Sequence, residues 1–205
     1  MVVHHLTDTL IMSAKSEHED NVRMEILHAL SNCFKESRGL MAVTEKDSVL
    51  MCCVPFLKEA TPKVKAMAAK CVSQLSQSSE TRFLVLHTSA IPHLLRLLDS
   101  PNSDCRFYAS QALMYLVVEL DGKRQMFTHR ASDVLTNSLT EPNRGVLQNV
   151  LQCISTFAEL PSARQQLNTE STLALIQDIL DSTEVTWPIT FRAASRAQAQ
   201  VTWVP

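Results

Sequence analysis

The sequence predicts an all-α protein, a right-handed solenoid of about four to five helical repeats. The first observation is an apolar stripe with the spacing i, i+4, i+7, i+8 and i+11, which lies on one face of a helix. Its members are Cys105, Ala109, Ala112, Leu113 and Leu116. The second observation is that the stripe returns at intervals of 41 or 42 residues, in copies that begin at Val22, Val64 and Val146. A period of this length is typical of stacked helical arrays.

Each repeat is predicted to hold a short, a medium and a long helix. The long third helices carry the stripes and are predicted over residues 20–34, 62–77, 103–118 and 144–158. The medium second helices are the apolar segments upstream, at residues 2–10, 49–57, 91–98, 134–139 and 173–180. Proline, aspartate, serine or asparagine separates the second helix from the third, where these residues end one helix and cap the next.

An arginine followed three positions later by an apolar residue predicts the short first helix of a repeat. The four pairs are Arg38/Met41, Arg82/Val85, Arg124/Phe127 and Arg164/Leu167. Because the pair recurs at equivalent places, we expect these arginines to be structural. Their stems should pack on the preceding third helix, with the guanidinium groups reaching its C-terminal carbonyls.

The repeat units are predicted at residues 2–45, 46–89, 90–130 and 131–168, with a fifth that begins near Leu173. The chain starts almost at a second helix, so either it is a fragment or isoform of a longer array, or a partner covers this end. A fifth stripe would begin at Trp187, 41 residues after Val146, but Pro188 follows at once. We therefore expect a repeat domain over residues 1–182 and an off-pattern, poorly packed tail over residues 183–205.

The third copy resembles the consensus of armadillo repeats. The resemblance is carried by Ala90-Ile-Pro-His-Leu-Leu-Arg-Leu-Leu-Asp-Ser100 and by Ala109-Ser-Gln-Ala-Leu-Met-Tyr-Leu116, and looser copies extend it over residues 2–181. The same copy resembles, more weakly, the repeats of an armadillo protein of the ciliary radial spoke. Armadillo resemblance implies three-helix repeats whose third helices line a concave, protein-binding groove.

Composition and signals exclude several classes of function. The formal net charge of -2 lacks the basic excess of a nucleic-acid-binding protein. No run approaches the ~18 consecutive apolar residues of a membrane helix, and residues 1–5 lack the features of a secretory signal. We expect no nucleic-acid or membrane partner and a cytoplasmic location, with the cilium and the nucleus as alternatives.

The 6 cysteines are expected to be reduced, as in most intracellular proteins. Four of them, Cys33, Cys71, Cys105 and Cys153, fall on the apolar stripes, where a free cysteine behaves as a small hydrophobic residue. We predict low exposure for Cys71 and Cys153 and no disulfide.

The sequence holds no pattern typical of catalysis or of cofactor or metal binding. It lacks a glycine-rich phosphate loop, a Cys-x-x-Cys pair and a His-Glu-x-x-His motif. His87, His93 and His129 lie at repeat junctions, where surface or packing roles are favoured over a metal or catalytic set. We predict no enzymatic activity, no cofactor and no small-molecule substrate.

The candidate binding site lies on the exposed face of the third helices, at positions between the apolar ones. The predicted partner-binding residues are His28, Asn32, Lys70, Gln74, Tyr108, Gln111, Tyr115, Asn149 and Gln152. Amide, hydroxyl and aromatic groups in a row suit an extended peptide, and a merely solvated face is the alternative. An importin-α-like asparagine column is matched only by Asn32, and a β-catenin-like basic groove only by Lys70, so both specificities are disfavoured.

Three functions follow as hypotheses. The leading one is a non-enzymatic scaffold or adaptor that docks a segment of a protein partner in the groove. The second is a structural component of a large assembly such as the ciliary axoneme, whose expression should follow ciliated cells. The third is a co-chaperone, which should accelerate nucleotide release from its chaperone.

Overall fold

The computed structural model describes residues 2–34, 48–58, 60–183 and 187–204, and the described residues form helices without any strand. The chain divides into two compact units, unit 1 over Met1–Tyr115 and unit 2 over Leu116–Pro205. The helices of unit 1 are α1 (Val2–Ser16), α2 (Asp20–Cys33), α3 (Ser48–Lys58), α4 (Pro62–Gln77), α5 (Ser79–Leu86), α6 (Ala90–Leu97) and α7 (Ser103–Leu116, whose last residue belongs to unit 2).

Unit 2 is also built from helices. Its helices are α8 (Leu120–Thr128), α9 (Ala131–Asn137, continued by a 3-10 turn over Ser138–Thr140), α10 (Arg144–Phe157), α11 (Pro161–Leu167), α12 (Glu170–Thr183) and α13 (Pro188–Thr202). The four predicted third helices correspond to α2, α4, α7 and α10. All four begin at the predicted residue and end within two residues of the predicted end, so this prediction is confirmed.

In unit 1 the third helices pack against each other through their apolar stripes. The Sγ of Cys71 on α4 donates to the carbonyl oxygen of Leu27 on α2 at 3.2 Å, and the Sγ of Cys105 on α7 donates to that of Pro62 on α4 at 3.1 Å. Contacts this close require small side chains between the helices. Cys71, Cys105 and Cys153 are buried, and the predicted low exposure of Cys71 and Cys153 is confirmed.

The stripe of α2 departs from the prediction. Val22 is 41% exposed, and Cys33 is only half-buried. The buried residues of this helix are Leu30, which belongs to the predicted stripe, and Leu27 and Ser31, which do not. Among the described residues α2 packs mainly against α1 and α4, so the side of its stripe that carries Val22 and Cys33 is incompletely covered.

In unit 2 the C-terminal segment is better packed than expected. Helix α13 packs against α10, α11 and α12 and buries Thr190, Ala194, Ala197 and Val201. These four follow Val146, Val150, Cys153 and Phe157 of α10 by 44 residues. The expectation of poor packing after residue 183 is wrong, because the apolar column returns three residues later than a period of 41 places it. The domain boundary at residue 182 stays a prediction.

The junction arginines divide into two groups. The Nε of Arg82 donates to the Ser76 carbonyl at 2.8 Å, and the Nε of Arg164 donates to the Ala158 carbonyl at 2.9 Å. Both carbonyls lie at the ends of third helices, so the predicted contact of the guanidinium group is confirmed for these two. Arg124 is exposed, and the prediction is wrong for it, because the neighbouring Lys123 takes the buried position. Arg38 lies outside the described residues.

Candidate protein-binding face

The predicted binding residues of unit 1 lie on its third helices and are at least partly exposed. We call this set the polar face of unit 1, formed by His28 and Asn32 on α2, Lys70 and Gln74 on α4, and Tyr108, Gln111 and Tyr115 on α7. His28 and Asn32 are exposed, and the other five are half-buried. The i, i+3, i+4 spacing within each helix keeps them on one side, while the apolar stripe occupies the other.

Two contacts between α4 and α7 order the middle of this face. The Nζ of Lys70 lies 5.7 Å from the centre of the Tyr108 ring, within the range of a cation–π interaction. The buried hydroxyl of Ser73 donates to the Gln111 Oε1 at 2.8 Å. This hydrogen bond fixes the side-chain oxygen and leaves the amide NH₂ of Gln111 to donate to a ligand.

Tyr108 is also supported from its own helix. Its ring meets that of Phe107 edge to face, with the ring centres 5.3 Å apart. Burial, and secondarily the carboxylate of Asp104, raise the pKa of the Tyr108 phenol. The hydroxyl therefore stays protonated and is able to donate a hydrogen bond at neutral pH.

On α2 the polar face is less ordered. The Nδ1 of His28 lies 4.0 Å from the Glu25 carboxylate, and both side chains are largely exposed. A pair of this kind contributes little to stability, so His28 remains available for contact with a ligand.

The remaining two predicted residues, Asn149 and Gln152, lie on α10 of unit 2. Asn149 is half-buried and Gln152 is exposed. Gln152 and the buried Ser155 line a cavity of about 190 Å³, whose other wall is formed by α13. The α13 residues in this wall are Ile189, Arg192, Ala193 and Arg196.

Sequence reasoning missed the contribution of α13. With the observed offset of 44 residues, Gln152 corresponds to Arg196, so a basic residue continues that column. The Nη groups of Arg192 and Arg196 add positive charge to a surface on which neither α10 nor α13 carries an acidic residue. Sequence reasoning also missed Ser73, which lies next to the predicted binding residue Gln74 on α4.

Two tryptophans near the ends of α13 pack against arginines and help to hold this helix in place. The Cζ of Arg144 lies 3.5 Å from the centre of the Trp187 ring, and that of Arg164 lies 4.5 Å from the Trp203 ring. The amide of Gln148 donates to the buried hydroxyl of Thr190 at 2.9 Å. Trp187, the predicted anchor of a fifth stripe, thus precedes the helix and packs on an arginine instead.

The described parts of the chain hold neither a metal-binding cluster nor a membrane-spanning helix. No group of three or more His, Cys, Asp or Glu side chains there is arranged to hold a metal ion. Within the same residues, no helix is both long enough and apolar enough to cross a bilayer.

The comparisons with known proteins identify the fold. No protein-family model matches the chain, and no curated protein sequence matches it. Among solved structures, an engineered protein of the Northeast Structural Genomics Consortium matches with a TM-score of 0.83 at 19% identity, over 97% of this chain and 78% of that one.

Two further matches are designed armadillo-repeat proteins. One, designed for modular peptide recognition, has a TM-score of 0.82 at 15% identity over 93% of this chain and 80% of its own. The other, solved with the peptide (KR)4, has a TM-score of 0.79 at 16% identity over 92% and 80%. Likeness at this level of identity establishes architecture. The chain therefore has the armadillo-repeat fold, an all-α solenoid, as the sequence predicts.

Proposed function

We propose that the protein is a protein-binding module that holds an extended segment of a partner on the polar face of unit 1. The observation that carries the proposal is the ordering of that face by the Lys70–Tyr108 and Ser73–Gln111 contacts between α4 and α7. Side chains that are ordered before binding lose less conformational entropy when a ligand arrives. A solvated face without a ligand needs no such ordering.

The chemistry of the face suits a peptide backbone. Gln111, Gln74 and Asn32 offer amide donors and acceptors along successive helices, and these can pair with the polar groups of an extended chain. Tyr108 and Tyr115, the only 2 tyrosines of the sequence, offer large amphipathic surfaces at low entropic cost, which is why tyrosine is enriched in binding hot spots.

The structural neighbours support the same class of function. One designed armadillo protein of this fold was made for modular peptide recognition, and another was solved with a bound peptide. By analogy we extend peptide binding to this chain, and we include Asn149, Gln152 and Arg196 of unit 2 as a separate contact area.

The test begins with a partner identified by proximity labelling, whose binding segment is then made as a peptide. We expect Tyr115→Ala to weaken its binding by about 1–3 kcal/mol, the range of hot-spot residues, and Gln74→Ala to have a smaller effect. Isothermal titration calorimetry measures the affinity, and circular dichroism checks that the helix content is unchanged.

Phe83→Ala is the matched control, because Phe83 is an aromatic residue of unit 1 that is 61% exposed but lies on α5, outside the polar face. It should leave the affinity unchanged. If a double variant with alanine at Tyr108 and Tyr115 binds as tightly as the wild type, the polar face is not the binding site.

The cytoplasmic location and the ciliary alternative remain predictions from the sequence. Expression confined to ciliated cells would favour a structural role in an axonemal assembly over a general adaptor.

A further inference from the structure

A cavity of about 280 Å³ lies in unit 1 outside the polar face, where the ends of second helices meet the starts of third helices. Its wall includes Lys58 at the end of α3, Pro62 and Lys65 in the first turn of α4, and Arg96 on α6. Sequence reasoning treated this region as ordinary turns.

The wall is strongly cationic. Lys58, Lys65 and Arg96 bring three positive charges to one small cavity, and His93 adds a titratable fourth group, while none of the acidic residues that the structure describes lines it. Lys65 and Arg96 make no ion pair with any residue that the structure describes. The like charges of Lys65 and Arg96 in one cavity repel each other, and a bound anion would relieve that repulsion.

The imidazole of His93 lies near the positive charges of Arg96 and Lys58. Its Nδ1 is buried and has no hydrogen-bond partner among the described residues. Burial lowers the pKa of His93, and the positive charges of Arg96 and Lys58 lower it further. His93 itself lines the cavity, so its ring would sense the charge of an anion that binds there.

The start of α4 adds to the positive potential. Helix α4 runs for 16 residues from Pro62, and the side chain of its N-cap residue, Thr61, makes no capping hydrogen bond. The partial positive charge of a helix N-terminus stabilises a nearby anion. Here Pro62 brings that end of the helix to the cavity wall.

We propose that this cavity binds a phosphate monoester, with Lys65, Arg96 and His93 as its principal contacts. A dianion matches several converging cations better than a single carboxylate does, and the planar guanidinium of Arg96 can pair two of its oxygens. The cavity is slightly smaller than the usual range of small-molecule sites, so it suits a phosphate group and its ester oxygen rather than a nucleotide. This site is independent of the proposed peptide binding on the polar face.

The test is an NMR titration of the His93 ring in the full chain with inorganic phosphate, and in parallel with a phosphoserine peptide and its unphosphorylated form. We expect saturable shifts with the two phosphate-bearing probes and none with the unphosphorylated peptide. Bound phosphate should also raise the pKa of His93, because it offsets the charges of Arg96 and Lys58. Tighter binding of the phosphopeptide than of inorganic phosphate would identify the ligand as a phosphorylated side chain of a protein. Equal affinities for the two probes would identify it as free phosphate.

Matched variants distinguish a specific phosphate site from nonspecific electrostatic attraction of phosphate to the protein. Lys65→Gln should weaken phosphate binding about tenfold or more, as expected for a lost charge-assisted hydrogen bond. Lys63→Gln removes the same charge from the same helical turn, but Lys63 is exposed and does not line the cavity, so it should have little effect. Arg96→Gln, at an exposed residue, gives a second loss variant if Lys65→Gln disturbs the fold. Equal effects of Lys63→Gln and Lys65→Gln, or shifts that do not saturate, would overturn the proposal.

Discussion

Lys123 shows how unit 2 accommodates a charge in its interior. The Nζ of Lys123 lies 2.6 Å from the Oε2 of Glu159, and the lysine side chain is 11% accessible while that of the glutamate is 50% accessible. The desolvation of the pair therefore falls almost entirely on the ammonium group. Glu159 remains solvated whether or not the lysine is present.

This asymmetry predicts unequal effects of removing the two partners. Glu159→Gln should lower the free energy of unfolding by about 1–3 kcal/mol, because it leaves the buried ammonium without its counter-charge. Lys123→Met, which keeps an apolar stem of similar length, should change it by less than about 1 kcal/mol. Urea denaturation at neutral pH measures both. Equal losses would mean that the attraction of the pair, and not the burial of Lys123, dominates.

Burial raises the pKa of the Cys153 thiol well above its ordinary value, and this predicts a loss of stability at alkaline pH. The folded protein keeps this thiol protonated, whereas an unfolded cysteine ionises at about pH 8.5. The protonated thiol thus makes its full contribution to the free energy of unfolding below that pH. This contribution is lost as the pH rises above it, by at most about 1.4 kcal/mol per pH unit.

Cys153→Ala is the matched variant, because alanine occupies the equivalent position in α7. It should flatten the dependence of the unfolding free energy on pH between about pH 8.5 and 10. An unchanged slope in the variant would show that other groups cause the alkaline loss.

At the scale of the elements, the contacts of the junction arginines predict which first helices are stabilised by their arginine. Arg164 donates to the Ala158 carbonyl and packs on the Trp203 ring, so Arg164→Ala should cost about 1–3 kcal/mol of stability. Arg124→Ala, at an exposed residue of the equivalent helix, should be within about 0.5 kcal/mol of the wild type. Thermal unfolding compares the two, and a larger loss for Arg124→Ala would restore the structural role first predicted for that residue.

The packing of α13 predicts a contrast between two alanines of the same helix. Ala194 is fully buried against the rest of unit 2 and Ala199 is exposed. Ala194→Leu should destabilise by about 1–3 kcal/mol through overpacking, whereas Ala199→Leu should have almost no effect. If both variants unfold like the wild type, α13 is not held against α10 in solution.

For the whole molecule, the period of the apolar stripe was enough to predict the fold and the starts of the third helices. Side-chain volume and helical spacing determine both, and both are local properties of the sequence. The period did not predict α13, because the connection before it is three residues longer. Its column also carries Thr190 and two alanines where α10 has two valines and a cysteine. The fixed interval of 41 residues therefore placed the start of the fifth stripe at Trp187.

The candidate site was predictable only in part. The exposure of Tyr108, Gln111 and Lys70 follows from their register, but the contacts that order them depend on how α4 and α7 approach each other. The cationic cavity was not predicted at all, because Lys58, Lys65 and Arg96 come from three separate helices and share no periodic position. Partner-binding roles for the polar face remain predictions.

The buried cysteines give the chain built-in reporters of local opening. Cys53, Cys71, Cys105 and Cys153 are all essentially inaccessible to solvent, and they sit on four different helices. A thiol reagent reaches each one only when the helices around it separate, so the four reaction rates measure four local opening free energies. Mass spectrometry of the labelled wild-type protein would therefore rank these helices by how readily they open, with no engineered probe.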